Sequence, residues 1–179
     1  MSERKPVAVE SNPWAALRRY TDARIALGKV GASLPTDEVL RFGLAHAMAR
    51  DAVNAALDES ALEAALAPLG LPCVRVCSEA SDRPAYLLRP DLGRRLAPES
   101  AARLRAAGPA PDIAVVLADG LSAVATQAHA APLLAALLPL LHPAWTVAPL
   151  VIARQARVAL GDDIGEALPR CARIVTEGL

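Results

Sequence analysis

Asp119 and Gly120 are the residues in this sequence whose type and position first suggest chemistry. They close the stretch D-I-A-V-V-L-A-D-G, so an aspartate and a glycine stand at the carboxyl end of an apolar run. In open α/β sheets, ligands sit outside the carboxyl ends of the strands, so the pair is either part of a site or the turn that leads into the Ala-rich segment beyond. By residue type alone a turn is the better reading. Arg94 and Arg95, after the turn-like P-D-L-G, offer guanidiniums to a phosphate or carboxylate, but adjacent arginines are usually solvated. Asp162 and Asp163 open the last helical segment, where carboxylates offset the helix dipole, and capping explains them better than catalysis. His46, His129 and His142 lie far apart, and no pair has metal-ligand spacing. The sequence has no G-x-G-x-x-G, no phosphate-binding loop ending in Gly-Lys-Ser/Thr and no G-x-S-x-G around a nucleophile. Its residues alone describe an α/β domain without an acid, base or nucleophile of its own.

The elements that must position these residues follow from composition and period. The 179 residues are 54% hydrophobic and 21% charged, enough for one good core and a small appendage. Acidic and basic residues balance at 19 each with no basic stripe, which excludes a nucleic-acid partner. Charges in M-S-E-R-K-P-V-A-V-E interrupt the apolar region that a secretory signal needs, so a cytoplasmic chain is expected. Residues 130–153 are apolar over a length that approaches the ~20 residues of a membrane span. However, Pro132, Pro139, His142 and Pro143 punctuate them, and they read as a buried helix, a turn and a buried strand, with no membrane partner. Cysteines are three, an odd count that agrees with a reducing compartment. Cys73 and Cys77 lie in the strand-like C-V-R-V-C, about 13 Å apart at ~3.3 Å per residue, too far for a disulfide or a shared metal. Both are expected to be core thiols.

Along the chain, residues 1–12 read as a flexible tail and residues 13–70 as an N-terminal helical region. In that region a helix is expected over 13–29. A second starts at Pro35 or Thr36, with Val39, Leu40, Phe42 and Leu44 on an inner face, and a third starts at a capping box, Ser60 to Glu63, and ends near Gly70. From residue 71 to 179 strands at about 73–78, 112–118 and 146–153 alternate with helices near 98–107, 121–141 and 162–168. Strands so continuous in Val, Ile and Leu are covered on both faces. The expected fold class is α/β, a Rossmann-like three-layer domain with a mostly parallel sheet, preceded by the helical region.

Five segments in order then add a resemblance. T-D-A-R-I-A-L-G-K-V-G, L-P-T-D-E-V-L-R-F-G-L-A-H-A-M-A-R-D-A-V, Y-L-L-R-P-D-L-G-R-R-L, A-D-G-L-S-A and A-R-Q-A-R-V-A-L-G-D-D-I-G-E cover most of Thr21 to Glu166. Together they resemble the small subunit of ethanolamine ammonia-lyase. The resemblance implies an adenosylcobalamin-dependent carbon-nitrogen lyase built from two kinds of subunit. Residues 71–179 would be an α/β cobalamin-binding domain, and the partner would be a large TIM-barrel subunit that holds ethanolamine. In that family the cofactor's cobalt-carbon bond breaks homolytically, the deoxyadenosyl radical abstracts hydrogen, the amine group migrates, and the product collapses to acetaldehyde and ammonia. Such a subunit needs no catalytic residue of its own, because the cofactor carries the radical chemistry.

Site residues follow motif by motif. The family's cobalamin-contacting valine falls on Val158 in R-Q-A-R-V-A-L-G-D-D-I-G-E, a residue that would otherwise read as an ordinary core or rim valine after a strand. Asp119 and Gly120 become candidate cofactor-binding residues that shape the ligand-facing edge of the sheet. The family's G-E-R-P-G-L glutamate is only loosely matched by Glu177, and Cys171 is not the family's later cysteine, so neither role is carried over. From Pro169 the pattern dissolves: Arg170 and Arg173 interrupt what should be a buried strand, and a frameshift or premature stop is the expected cause, leaving the sheet without its last strands. Two other outcomes stay open: a degenerate assembly subunit that docks on the large subunit without cobalamin, and an unrelated α/β domain that binds a small anion through Asp119-Gly120 and Arg94-Arg95. The complex would lie free in the cytoplasm or inside a bacterial microcompartment.

Overall fold

The computed structural model describes residues 10, 12–106, 111–120, 122–168 and 173–177, the last five through their backbone. It divides into two compact units, one up to Arg50 and one from Asp51 onward. The expected tail therefore lies almost wholly outside the described residues, as do Pro169, Arg170 and Cys171.

In the first unit, Asn12 Oδ1 accepts the Trp14 amide (2.9 Å) and opens a 3-10 helix, Pro13–Tyr20. The helix expected over 13–29 stops there, because Thr21 turns extended and Ala26 and Gly28 adopt left-handed backbone at φ 52° and 81°. The α1 helix (Thr36–Asn54) starts where expected, with Asp37 and Glu38 in its first turn. Glu38 is buried, 3.5 Å from Arg18 and 3.3 Å from Arg41. The inner face expected of Val39, Leu40, Phe42 and Leu44 does not form: all four are more than half exposed. At ~100° per residue they spread around the helix, so no single stripe exists to be buried.

The second unit is an α/β sheet. Its elements are α2 (Glu59–Leu66), β1 (Cys73–Cys77), α3 (Arg83–Leu88), α4 (Pro98–Arg105), β2 (Ile113–Ala118), α5 (Ala123–Leu137), β3 (Leu150–Arg154), α6 (Leu160–Ala167) and β4 (Arg173–Glu177). All pairings are parallel, in the order β1-β3-β2-β4. Successive side chains of a strand point to opposite faces, and the core divides accordingly. Ile113, Val115, Leu117, Leu150 and Ile152 pack with Leu62 and Leu66 of α2 and with Ala130 and Leu134 of α5. Ala114, Val116, Ala118, Val151 and Ala153 pack with Leu104 of α4 and with Leu160 and Ile164 of α6. Every residue of β2 is buried, as a strand covered on both faces requires. Because α2 belongs to this core, the boundary expected near residue 70 falls inside the second unit. The run Ala123–Leu140 is long and apolar enough to cross a bilayer by composition, but here Ala123, Ala130 and Leu134 are buried against the sheet.

Local chemistry changes several expected element ends. The cap of α2 is Asp58, whose Oδ1 accepts the Ala61 amide at 2.9 Å, and Ser60 and Glu63 are not a capping box. Glu63 instead takes both fork donors of Arg75. Ahead of α6 no side chain caps the helix, and Asp163 accepts the Leu96 amide at 2.8 Å. The α3 helix was not expected; Asp82 Oδ1 caps it at the Ala85 amide (2.8 Å) with a proline in its first turn. The interrupted strand expected after Pro169 does form as β4, on the sheet's edge, where charged residues are tolerated. Cys73 and Cys77 are unbridged and half-buried at the opposite edge, where Cys73 packs against the core as expected.

That opposite edge, β1, is closed by side chains of α4 and, at its carboxyl end, by the backbone of residues 95–97, whose Ala97 amide donates to the Cys77 carbonyl at 3.1 Å. Arg103 Nη1 donates to the Arg75 carbonyl at 3.0 Å, and the Cys77 amide donates to Ser100 Oγ at 3.0 Å. The Arg75 hydrogen bonds hold the Glu63 carboxyl below its ordinary value of 4.5. A depressed carboxyl pKa contributes stability above the unfolded-state value and loses it as pH falls through the folded one. Glu63→Gln is therefore expected to be less stable than the parent chain near neutral pH, with the gap closing as pH falls below the ordinary carboxyl value and through the lowered one; urea midpoints across pH measure this, and a pH-independent gap would contradict it. In the core, Leu134→Ala should cost about 3 kcal/mol, whereas Leu133→Ala, at a site 40% exposed, should cost under ~1 kcal/mol. Equal losses in urea unfolding would contradict the assignment of Leu134 to the core.

Candidate functional site

The two central strands send their chains to opposite faces: β2 runs on to α5, and β3 to α6. Between their carboxyl ends lies the switch point at which open α/β sheets bind ligands. Asp119, only 4% exposed, stands there. Its Oδ2 accepts the Gln155 amide at 2.9 Å and its Oδ1 the Ala156 amide at 3.1 Å, while its own amide donates to the Ala153 carbonyl at 3.2 Å. Both carboxylate oxygens are thus engaged with the loop that follows β3. Gly120, at φ 35°, turns its carbonyl back into the protein, where Arg83 Nη2 and the Tyr86 hydroxyl each donate to it at 3.0 Å.

The loop after β3 is fastened from the other side as well. Ser78 Oγ, just beyond β1, donates to the Gln155 carbonyl at 2.6 Å, and the Arg157 amide donates to the Gly93 carbonyl at 2.9 Å. Gln155 is held at φ 51°, left-handed backbone that a non-glycine residue adopts only under constraint. The Tyr86 ring, 1% exposed, lies between two guanidiniums, with Arg83 and Arg157 each 4.5 Å from its centroid. Burial pushes the Tyr86 phenol pKa up, against the pull of Arg157 and Arg83, so the hydroxyl keeps the proton it donates. Gly93 leaves room for this stack: a Cβ there would lie 2.9 Å from Arg157 Cγ and 3.0 Å from the Tyr86 ring.

From this fastened loop Val158 projects, 71% exposed, in the turn before α6. The structure therefore brings the expected Asp119, Gly120 and Val158 to one edge, with Asp119 and Gly120 bonded inward and Val158 facing outward. Beside them a cavity of about 400 Å³ opens at the ends of β1 and β3, lined by Cys77, Ser78, Glu79, Ala97, Arg154 and Gln155 among others. Arg94 and Arg95 are exposed, and the arginines at the corner are Arg83 and Arg157. Among the described residues no group of three His, Cys, Asp or Glu side chains is placed to hold a metal ion. Sequence reasoning missed Arg83, Tyr86 and Ser78. For Arg83 and Tyr86 the one signal was S-D-R-P-A-Y, Ser81 to Tyr86, a cap followed by Arg and Tyr three apart, which sets both side chains on one helical face; Ser78 had none.

The chain is similar to known proteins along most of its length. The family model described as Ethanolamine ammonia-lyase light chain (EutC) matches residues 11–177. The chain belongs to the ethanolamine ammonia-lyase light chain family. It is 53% identical to the ethanolamine ammonia-lyase small subunit of Azotobacter vinelandii over 174 residues, 94% of this chain and 63% of that protein. It is 49% identical to the small subunit of Xanthomonas campestris pv. campestris over 178 residues, 97% of this chain and 65% of the relative. With the small subunit of Pseudomonas syringae pv. tomato it shares 51% identity over 173 residues, 94% of this chain and 60% of the relative. The chain thus spans 60–65% of the length of these light chains. Family membership sets aside the unrelated small-anion domain, since the order of the five segments is no coincidence.

The geometry of this light-chain edge makes two substitutions informative. Gly93→Ala should destabilise the chain by about 1–3 kcal/mol, because the new Cβ meets the Arg157 stem and the Tyr86 ring. Gln155→Gly should leave stability unchanged or raise it by up to ~1 kcal/mol, since glycine accepts the left-handed backbone. Urea unfolding of both variants checks the pair; a tolerated alanine at 93 would show that the stack has slack.

Proposed function

We propose that this chain acts as the small subunit of an adenosylcobalamin-dependent ethanolamine ammonia-lyase, a carbon-nitrogen lyase, and that its sheet edge helps hold the cofactor. The observation that carries the proposal is the presentation of Val158, an exposed apolar side chain on a loop bonded at Gln155, Ala156 and Arg157 to three other elements. A cofactor of this size has a broad, partly apolar surface, and an exposed valine on preordered backbone suits it. The cofactor, when bound, supplies radical chemistry. What the residues of this chain supply is position: Val158 contacts the cofactor, while Asp119 and Gly120 shape the edge on which it rests. The parallel order β1-β3-β2-β4 with helices on both faces fits a Rossmann-like architecture used in this way.

The partner is the large subunit, which holds ethanolamine. Exposed apolar residues on α1, among them Leu40, Phe42, Leu44 and Met48, support docking through the N-terminal unit, because large apolar side chains left in water around a helix favour a partner that covers them. The same surface favours a second reading, a subunit that assembles with the large chain but does not hold cobalamin. The complex is placed in the cytoplasm, free or within a microcompartment.

Co-expression with a large subunit, purification, and an absorbance titration with hydroxocobalamin distinguish the two. The proposed function predicts a stoichiometric complex that takes up cobalamin and releases ammonia from ethanolamine, with uptake weakened at least ~10-fold by Val158→Asp. Co-purification without cobalamin uptake would overturn it in favour of the assembly subunit.

A further inference from the structure

The Arg83–Tyr86–Arg157 stack is more than packing, and we infer that it is a positioning device that holds the 155–158 loop in the shape that presents Val158 to the cofactor. The inference rests on the proposed cobalamin role. Arg157 is the residue immediately before Val158, and its guanidinium is held by two contacts with Tyr86. Its guanidinium lies 4.5 Å from the Tyr86 ring centroid, and its Nη2 donates to the Tyr86 carbonyl at 2.9 Å. Tyr86 in turn is tied to the corner after β2, through its hydroxyl to the Gly120 carbonyl at 3.0 Å, with the Ala156 carbonyl at 3.4 Å as the more distant acceptor. Arg83 closes the other face of the ring and reaches the same Gly120 carbonyl, and its Nε donates to the Val53 carbonyl at 2.6 Å. A single aromatic ring therefore couples α3, the end of α1, the β2 corner and the β3–α6 loop.

Stability alone does not account for the arrangement. Two guanidiniums crowd one ring, and of the two it is Arg83 that meets a carboxylate, its Nη1 lying 3.8 Å from Asp119 Oδ2. Arg83 Nη1 and Arg157 Nε are buried without a hydrogen-bond acceptor, and Gln155 Oε1 is buried without a donor. Unsatisfied buried polar atoms and left-handed backbone at Gln155 are costs, and they gather in and beside the loop that displays Val158. A fold selected for stability alone would shed these costs; a fold that must keep one loop conformation retains them. Preordering removes the ordering entropy that a loose loop would lose on binding, so the gain appears in cofactor affinity and not in the chemical step.

The test uses the complex with the large subunit. In Arg157→Lys, the planar fork and its stacking are lost while the charge stays; in Tyr86→Phe, the ring and stacking stay while the hydroxyl bond to Gly120 is lost. Affinity for hydroxocobalamin is read by absorbance titration, and kcat and the KM for adenosylcobalamin by ammonia release. Both variants are expected to bind hydroxocobalamin more weakly, Arg157→Lys by about 10-fold and Tyr86→Phe by less, with the loss in KM for the cofactor and kcat within ~2-fold. If the parent complex binds hydroxocobalamin and Val158→Asp weakens it, but Arg157→Lys and Tyr86→Phe bind as the parent does, the positioning role is overturned and the cobalamin reading stands. A parent complex that takes up no hydroxocobalamin overturns both. Should Arg157→Lys fail to fold, Tyr86→Phe, which removes one oxygen, decides the matter by the same KM-against-kcat comparison.

Discussion

Two backbone amides just beyond β3, those of Gln155 and Ala156, lie past the last strand residue and find their acceptor in one side chain, the Asp119 carboxylate. A buried amide without an acceptor is costly, and a buried carboxylate without donors more so. Each requirement meets the other here, and the geometry of the edge follows. Because Asp119 directly follows the neighbouring strand, its two bonds tie the loop after β2 to the loop after β3 where the two chains leave for opposite faces. With Asp119 bonded inward, Gly120 must reverse, and its left-handed backbone directs its carbonyl toward Arg83 and Tyr86. The aspartate serves the site by what it holds, and Val158 is left as the side chain that faces outward.

Much of this was legible in the sequence where one force dominates. The apolar runs of β2 and β3 were readable because strands buried on both faces need continuous Val, Ile and Leu, and the Asp119-Gly120 corner was readable as the end of such a run. Elements decided by competition between weak local terms were not. Ser60 to Glu63 has the spacing of a capping box, yet Asp58 caps the helix and Glu63 is drawn to Arg75 across the edge strand, a charge-assisted pair that outweighs a local cap. Asp163 likewise leaves its helix end for the Leu96 amide. The stack on Tyr86 was illegible for another reason: Tyr86, Gly93 and Arg157 are distant in sequence, and only the closed fold sets them together. The family resemblance supplied Val158, but the residues that hold Val158 in place came from the structure alone.

The two units rest on different balances. In the second, both faces of the sheet are covered and the large side chains of its core are sealed. In the first, the buried positions among the described residues up to Arg50 are Pro35 and Glu38, while Trp14, Tyr20, Leu40, Phe42, Leu44 and Met48 are exposed. Ordering a residue costs ~1–2 kcal/mol of backbone entropy, and a helix with its apolar side chains in water recovers little of it. Apolar residues spread around α1, rather than aligned in a stripe, are suited to a partner that encloses the helix on more than one side. A flat contact would leave half of them wet. The light chain thus combines a sheet whose core is sealed with an N-terminal unit whose large apolar side chains stand exposed. That division matches the work proposed for a small subunit, in which cofactor positioning belongs to the rigid part and assembly to the part that lacks a core.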